Sequence, residues 1–160
     1  MATALNEQIK WEMYSANLYL AMSAYLQDAG LTGFSHWMRI QYQEETAHAE
    51  ITVSFTAEAG CNFPDAPDAN WSNILEIFEE TLSHEQEVTR RINELVHLAK
   101  EERDFATDIF LQWFVTEQVE EEETVKDIIS KLRMIKGEGQ GMLVLDKDMS
   151  ARTFTPPPAN

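Results

Sequence analysis

Two side chains that can bind a metal ion lie one helical turn apart in QEETAHAE, residues 43–50. Glu45 and His48 are three residues apart, so a helix would place them on the same face. A surface helix usually has Lys or Arg three or four residues from a Glu, and this stretch has neither. A carboxylate beside an imidazole is a ligand pair that a borderline divalent metal accepts. The pair alone is weak support, because a lone His at a core position is more often a hydrogen-bonded structural residue.

Helix start and stop signals divide the chain into four long segments that could carry such a site. Gly30 and Gly60 are candidate C-terminal caps, Asn70 to Asn73 are candidate N-caps, and Gly137 follows a run with several Lys and Arg residues. Three consecutive prolines forbid helix in the tail FTPPPAN. The sequence therefore predicts helices over residues 3–28, 32–59, 71–99 and 103–136, with a short fifth helix near 142–150.

Each long helix carries a stripe of residues spaced alternately four and three apart, the pattern of helices packed side by side in a bundle. The stripes run from Leu5 to Leu26, Phe34 to Phe55, Ile74 to Leu95 and Leu111 to Leu132. All four are apolar at both ends and polar near the middle. The candidate functional groups in the middle are Glu12, Glu45, His48, Glu85, Gln118 and Glu121. Packing the apolar ends together would bury these groups at one level.

Burying the four carboxylates of this level without compensation would be costly, because an isolated ionised group in a core costs roughly several kcal/mol even after relaxation. Neither Lys nor Arg occurs on any of the four stripes. Two divalent cations would balance the four carboxylates, and so would an oxide-bridged pair of ferric ions. Carboxylate oxygen with one imidazole per metal also suits iron. Each polar residue taken singly has an ordinary structural explanation, but their coincidence on four helices favours a paired metal site.

The charge composition limits the partners of the chain. It has 28 acidic and 12 basic side chains and a formal net charge of −16, so a phosphate backbone would be repelled and no nucleic-acid partner is expected. Simple solubility is the alternative explanation of this acidity. Cys61 stands alone, which rules out a disulfide or a four-cysteine metal site within these residues. The sequence has no signal-peptide pattern and no apolar run of about 20 residues, so a cytoplasmic protein without membrane contact is expected.

Several stretches together resemble the non-haem ferritins of bacteria and archaea over nearly the whole chain. They are LNEQIKWEMYSANLYLAMSAY, QEETAHAE, SHEQEVTRRINEL, FLQWFVTEQVEEEETVKDI and LVLDKDMS. The resemblance implies an all-α fold: a ferritin-like four-helix bundle over residues 1–152 that includes a short fifth helix, followed by a flexible Pro-rich tail at 153–160. It also implies a long crossover between helices 2 and 3, which a linker over residues 60–70, reaching about 36 Å, permits.

The same resemblance implies iron storage and detoxification. Fe(II) would be oxidised by dioxygen, or by hydrogen peroxide, at a di-iron ferroxidase centre within each subunit, and the product would be stored as mineral in a cage. The fifth helix, absent from the twelve-subunit DNA-protecting relatives, favours a homo-oligomer of twenty-four subunits. Substrate and catalytic metal would then be the same ion.

The resemblance also assigns metal ligands position by position. The implied ligands of the first iron are Glu12, Glu45 and His48. The residues implied at the second iron are Glu45 as a bridge, Glu85, and Gln118 and Glu121 close by. Tyr19 lies one heptad after Glu12 and matches a family tyrosine that hydrogen-bonds at the centre and can supply an electron.

Three positions depart from the haem-containing relatives. The fourth helix has Gln118 and Glu121 where bacterioferritin-like proteins carry a second Glu-x-x-His. The second iron therefore lacks an imidazole and should be held more loosely. Thr46 stands where bacterioferritins place their haem-ligating methionine, so no haem is predicted.

A third iron site is implied beside the pair. Glu117, Glu120 and Glu121 lie three and four residues apart on one face of the fourth helix, next to Glu44 if the helices pack in register. In ferritins of prokaryotic type, carboxylates at these positions form a site between the centre and the interior. The alternative is that the acidic run at 120–123 is a solvated helix face.

Three other functions compete with this interpretation. A cage that binds cations without oxidising them does not need an intact buried centre. A rubrerythrin-like peroxidase is disfavoured because the chain lacks CxxC pairs, and a helical signalling bundle would leave the buried acids unexplained. The tryptophans are expected to pack in the core or at interfaces, and three histidines off the stripes are not expected to be ligands. These residues are Trp11, Trp37, Trp71 and Trp113, and His36, His84 and His97.

Overall fold

The computed structural model describes residues 1–56, 64–136 and 139–157. Its helices are α1 (Ala2–Asp28), α2 (Thr32–Thr56), α3 (Ile74–Glu102), α4 (Phe105–Met134) and α5 (Gly139–Met149). No strand occurs in these ranges, so the predicted all-α fold of four long helices and a short fifth is confirmed. Gly60, Cys61 and Gly137 fall outside the described residues, and so do the interpretations that rest on them.

The observed helix ends lie within a few residues of the predicted ones and carry the expected caps. Gly30 follows α1 with a φ of +78°, and the N–H of Leu31 bonds back to the carbonyl of Leu26 at 2.9 Å. This is the left-handed glycine cap that the sequence predicts. Asn73 caps α3 by accepting the N–H of Glu76 at 3.0 Å, so α3 begins three residues later than predicted, after the cap.

The short helix α5 is tied to the start of α2. One carboxylate oxygen of Asp146 accepts the backbone N–H groups of Gly33 at 2.9 Å and Phe34 at 3.0 Å. These donors belong to the first turn of α2, where no helical carbonyl is available to them. A Cβ at position 33 would overlap the Asp146 carbonyl oxygen, so this close approach requires glycine.

The directions of the helices follow from which residues touch. Contacts that advance along α1 retreat along both α2 and α3, so α1 is antiparallel to each of them. The pairs are Glu12 with Glu45 and Ser23 with Ser35 for α2, and Trp11 with Arg91 and Tyr19 with Glu85 for α3. Helices α2 and α3 are therefore parallel, and the chain between them must return along the bundle. This confirms the predicted long crossover.

The four stripes form the interior of the bundle. Every stripe position is buried except Phe55, which is half-buried. The apolar residues separate into two clusters at opposite ends of the bundle, one around Phe34 and Phe78 and the other around Ile92 and Leu111. The predicted polar level lies between the two clusters, so its polar side chains have apolar packing on both sides.

Several large apolar side chains remain on the surface of α4 and α5. They are Phe105, Ile109, Val119, Met134, Leu143 and Val144. Within the described ranges, no helix combines the length and the apolar character needed to cross a lipid bilayer. Exposed apolar side chains that lie close together can mark surfaces at which other molecules bind.

Candidate metal centre

Three potential metal ligands meet in the polar level. Glu12 comes from the middle of α1, and Glu45 and His48 come from successive turns of α2. One ligand atom from each side chain lies within 4.8 Å of the other two, and the residues are only 1%, 2% and 4% exposed. The period of the two stripes explains the meeting, because both helices turn these positions inward at the same height.

Two carboxylate oxygens of this group lack hydrogen-bond donors among the described residues. Gln8 donates to one oxygen of Glu12 at 2.8 Å. The other oxygen of Glu12 and one oxygen of Glu45 are buried and receive no hydrogen bond from the described part of the chain. The Glu45 oxygen lies 3.5 Å from His48 Nδ1. Buried oxygens without donors are costly, and a divalent cation between them would remove that cost.

The imidazole of His48 is held by aromatic side chains. Trp113 and Phe114 of α4 approach the His48 ring edge-on, with centroids 5.3 and 5.7 Å away. The aromatic contacts limit rotation of the imidazole and exclude water from one side of it. The orientation of this ligand is therefore determined by packing between α2 and α4.

Glu85 contributes the acid of α3, but it is engaged by protein donors. Tyr19 donates its hydroxyl hydrogen to one Glu85 oxygen, and Gln118 Nε2 donates to the other at 3.1 Å. Gln118 also donates to the Glu85 carbonyl at 3.2 Å. Among the described residues, the 4.8 Å group of ligand atoms does not include Glu85. The half of the centre formed by Glu85 is thus hydrogen-bonded, whereas the half formed by Glu12, Glu45 and His48 is open.

Glu121 completes the polar level from α4. Gln41 of α2 donates to one Glu121 oxygen at 3.0 Å, and Glu121 is 4% exposed. The two amides that support the level, Gln8 and Gln41, were not assigned a role from the sequence. Gln41 lies on the second stripe, so its position could have indicated a buried donor, whereas Gln8 lies off the first stripe and gave no such signal.

Burial is the main cause of the unusual pKa values in this level. The pKa values of Glu12 and Glu45 are raised well above the ordinary range, first by burial and then by repulsion from Glu45 and Glu85 respectively. Burial raises the pKa of Glu85 to about 8, and the charge of Glu121 adds to the effect. A bound cation would favour the ionised carboxylates and reverse these shifts.

The residues proposed for the third site do not all converge. Glu44 is 8% exposed, Glu117 is half-buried and Glu120 is exposed. Burial raises the pKa of Glu44 to about 7; the charge of Arg152 opposes this shift, and the charges of Glu121 and Glu117 add to it. The sequence prediction missed the cation here: Arg152, which follows α5, places Nη2 at 2.5 Å from a Glu44 oxygen and 3.8 Å from a Glu121 oxygen.

The histidines and tryptophans that were not expected to bind metal make packing or hydrogen-bonding contacts. His84 is buried beside Tyr19, and its Nε2 lies 2.7 Å from the Ser15 hydroxyl. Burial lowers the pKa of His84 to about 4, so this ring is neutral. His36 and His97 also lie outside the group of ligand atoms found in the described residues. Trp37 and Trp71 are buried, in agreement with the expected packing role.

Comparisons with known proteins agree with the geometry. A family model described as a ferritin-like domain matches residues 2–135. The bacterial non-heme ferritin of Bacteroides fragilis is 38% identical over 156 residues, covering 95% of this chain and 97% of that protein. The bacterial non-heme ferritin of Escherichia coli is 39% identical over 154 residues, covering 94% and 93% of the two chains.

Solved structures give the same result for the fold. The open pore ferritin from the hyperthermophilic archaeon Archaeoglobus fulgidus superposes with a TM-score of 0.93 at 46% identity, covering 96% of each chain. A form of the Archaeoglobus fulgidus ferritin engineered to be closed superposes with a TM-score of 0.94 at 47% identity, covering 97% of each chain. Both similarities extend over the helices that carry the polar level.

Proposed function

The chain belongs to the ferritin family, and from this premise we propose that it oxidises Fe(II) at its polar level and stores the product as a ferric mineral inside a shell of identical subunits. The observation that carries the proposal is the convergence of Glu12, Glu45 and His48, with buried carboxylate oxygens that lack donors in the described residues. Iron is the substrate in this proposal, because the ion that binds is also the ion that is oxidised and stored.

The first Fe(II) is proposed to bind Glu12, Glu45 and His48. Two carboxylates and one neutral imidazole balance the charge of one divalent ion and offer the ligand types that iron accepts. Burial of the three side chains strengthens their attraction for a cation, because little water is available to screen it. Gln8 and the aromatic neighbours of His48 keep two of the three ligands oriented.

The second Fe(II) is proposed to bind between Glu45 and Glu85, with Glu121 and Gln118 nearby. Glu85 has to exchange at least one of its hydrogen bonds, from Tyr19 or Gln118, for the cation. The second ion also lacks an imidazole, since Glu121 stands at the position where related haem proteins have histidine. Both properties favour weaker binding of the second ion, which suits an ion that is released to a store.

The proposed reaction balances with dioxygen as the oxidant. Each of two Fe(II) ions loses one electron, and dioxygen gains two electrons and two protons and leaves as hydrogen peroxide. With hydrogen peroxide as the oxidant, the same two electrons and two protons give two water molecules. The protein would supply proximity, because Glu45 can serve as a ligand of both ions and so hold them close together. Tyr19 is proposed as a nearby hydrogen-bond donor to Glu85 and, in a subunit that holds a single Fe(II), as the source of the second of the two electrons.

Assembly into a cage of twenty-four cytoplasmic subunits is part of the proposal. The exposed apolar side chains of α4 and α5 support it, since such groups are usually covered when subunits assemble. Leu143 and Val144 are 71% and 61% exposed on the short helix. The third site, formed by Glu44, Glu117, Glu120 and Glu121, is proposed as a transfer position, with Glu44 and Glu121 as its buried members.

Stopped-flow absorption with anaerobic Fe(II) followed by oxygen tests the reaction. The wild type should show a transient visible band at two Fe(II) per subunit, and Glu45→Ala should lose it and oxidise Fe(II) at least about tenfold more slowly. Glu50→Ala is the matched control, because Glu50 is exposed on the same helix. Equal rates in the wild type and Glu45→Ala would refute oxidation at this centre. Fe(II) that binds to the wild type but is oxidised no faster than free Fe(II) would support a cation-binding cage without oxidase activity.

A further inference from the structure

Arg152 is the cation that approaches the polar level from outside the four stripes. It follows α5, and its backbone carbonyl accepts a hydrogen bond from His36 Nε2 at 2.9 Å. Its guanidinium lies over the ring of Trp37, 4.2 Å from the centroid, and reaches the Glu44 carboxylate. The side chain is only 19% exposed. A residue from the end of the chain is thus inserted along α2 toward the acids of the bundle.

The contact between Arg152 and Glu44 is close but incomplete. Only Nη2 reaches Glu44, at 2.5 Å, and the same nitrogen lies 3.8 Å from Glu121. Nη1 is buried and has no hydrogen-bond acceptor among the described residues. Arg–carboxylate pairs are frequently bidentate, and most buried donors have an acceptor. Arg152 therefore pairs with these acids through one nitrogen while another remains unsatisfied, which makes the pair comparatively easy to replace.

We propose that Arg152 is an internal counter-ion that competes with divalent cations for the carboxylates of Glu44 and Glu121. When a cation binds these two acids, the guanidinium has to leave them, because both positive groups require the same oxygens and would repel each other. Arg152 thereby weakens binding at this position and favours passage of the ion onward. The inference rests on the proposed function, since it requires cations to reach the buried acids.

Electrostatics favours replacement of the Arg152 guanidinium by a divalent cation. A divalent ion carries twice the charge of the guanidinium and can contact Glu44 and Glu121 together, whereas Arg152 contacts Glu44 and stands 3.8 Å from Glu121. Glu117 is half-buried and adds to the negative charge around Glu44, so it favours the more highly charged occupant. Trp37 keeps the guanidinium near the acids after it is displaced, which allows it to return when the ion departs.

Calorimetric titration of the full-length protein with Zn²⁺ tests the inference without any oxidation. The class of Zn²⁺-binding sites that involves Glu44 and Glu121 is identified as the one that disappears from the titration in Glu44→Gln. Arg152→Gln should tighten that class about tenfold, a coupling of ordinary size between two competing ligands. Arg152→Lys should remain close to the wild type, because it retains the positive charge. Unchanged affinity in Arg152→Gln would overturn the inference.

Arg133→Gln is the matched control for charge. Arg133 forms a single exposed ion pair with Glu79, so the substitution removes the same charge away from the centre. A merely structural role of Arg152 would lower the thermal stability and loosen α5 but would leave the affinity of this Zn²⁺ class unchanged. An equal increase in affinity in both variants would show a general charge effect and would also overturn the inference.

A crystal of the wild type soaked in Zn²⁺ keeps the inference falsifiable if Arg152→Gln does not fold. The expected result is Zn²⁺ on Glu44 with the guanidinium beyond hydrogen-bond distance of that carboxylate. Zn²⁺ bound to Glu44 with Arg152 still paired to it would overturn the inference alone. Absence of Zn²⁺ from Glu44 would also overturn the inference. Absence of Zn²⁺ from Glu12, Glu45 and His48 in addition would contradict the proposed function too.

Discussion

The hydroxyl of Tyr19 donates a hydrogen bond to a carboxylate oxygen of Glu85, joining α1 to α3 across the interior of the bundle. Both residues are fully buried. The bond satisfies a phenol and an acid that no water reaches, and it favours the ionised form of Glu85. Any change at Tyr19 therefore acts on the stability of the bundle and on the acid of α3 at once.

Tyr19→Phe should remove this bond with little change in volume. The free energy of unfolding of the metal-free protein should fall by about 1–2 kcal/mol, because a buried acceptor loses its donor. Denaturant unfolding followed by circular dichroism measures the change. Tyr14→Phe is the control on the same helix, where the tyrosine is only partly buried. A Tyr19→Phe protein as stable as the control would mean that the bond contributes nothing.

The stability of the metal-free protein should decrease as pH rises through the neutral range. The pKa of Glu85 is raised from its ordinary value of 4.5 to about 8 in the folded state. The folded protein therefore holds a proton that the unfolded chain loses near pH 4.5. The contribution of Glu85 to the free energy of unfolding is largest below about pH 4.5 and is lost as the pH rises to about 8. Glu12 and Glu45 act in the same direction.

Thermal unfolding between pH 6.5 and pH 8.5, with and without Zn²⁺, measures this dependence, because below pH 6.5 the lowered pKa of His84 acts in the opposite direction. Glu85→Gln should have a shallower slope, since it cannot ionise, and saturating Zn²⁺ should reduce the slope in the wild type by favouring the carboxylates. Stability that rises with pH over this interval in the metal-free protein would contradict the assignment of protons to these acids.

Asp146→Ala should destabilise the protein, because it removes the side chain of α5 that caps the first turn of α2. The substitution leaves the N–H groups of Gly33 and Phe34 without their acceptor, and a loss of about 1–2 kcal/mol in unfolding free energy is expected. Asp148→Ala serves as the control, because Asp148 is exposed on the same short helix. Hydrogen exchange should also become faster at the two uncapped amides in Asp146→Ala alone.

The fold could be predicted from the sequence because its determinants are local or periodic. The stripes predict which face of each helix is buried, and Gly30 and Asn73 end and begin helices through contacts within a few residues. The meeting of Glu12, Glu45 and His48 follows from the same periodicity, and their role as iron ligands stays a prediction. The parallel arrangement of α2 and α3 could be established only from tertiary contacts, because the length of the linker permits that arrangement but does not require it.

The contacts made by the end of the chain could not be predicted in this way. Asp146 caps a helix that begins more than one hundred residues earlier, and Arg152 pairs with Glu44 across a similar separation. No local pattern specifies either partner, because both depend on how α5 docks against α2. Charge counting along the stripes also missed Arg152, since it considered only cations within the four long helices.

The separation of the interior into two apolar clusters has a consequence for protein engineering. The end of the bundle around Ile92 and Leu111 can be repacked for heat tolerance if Phe114, which belongs to the same cluster and contacts His48, is kept. Improvement of durability and alteration of chemistry thus become separate design problems within a single small subunit.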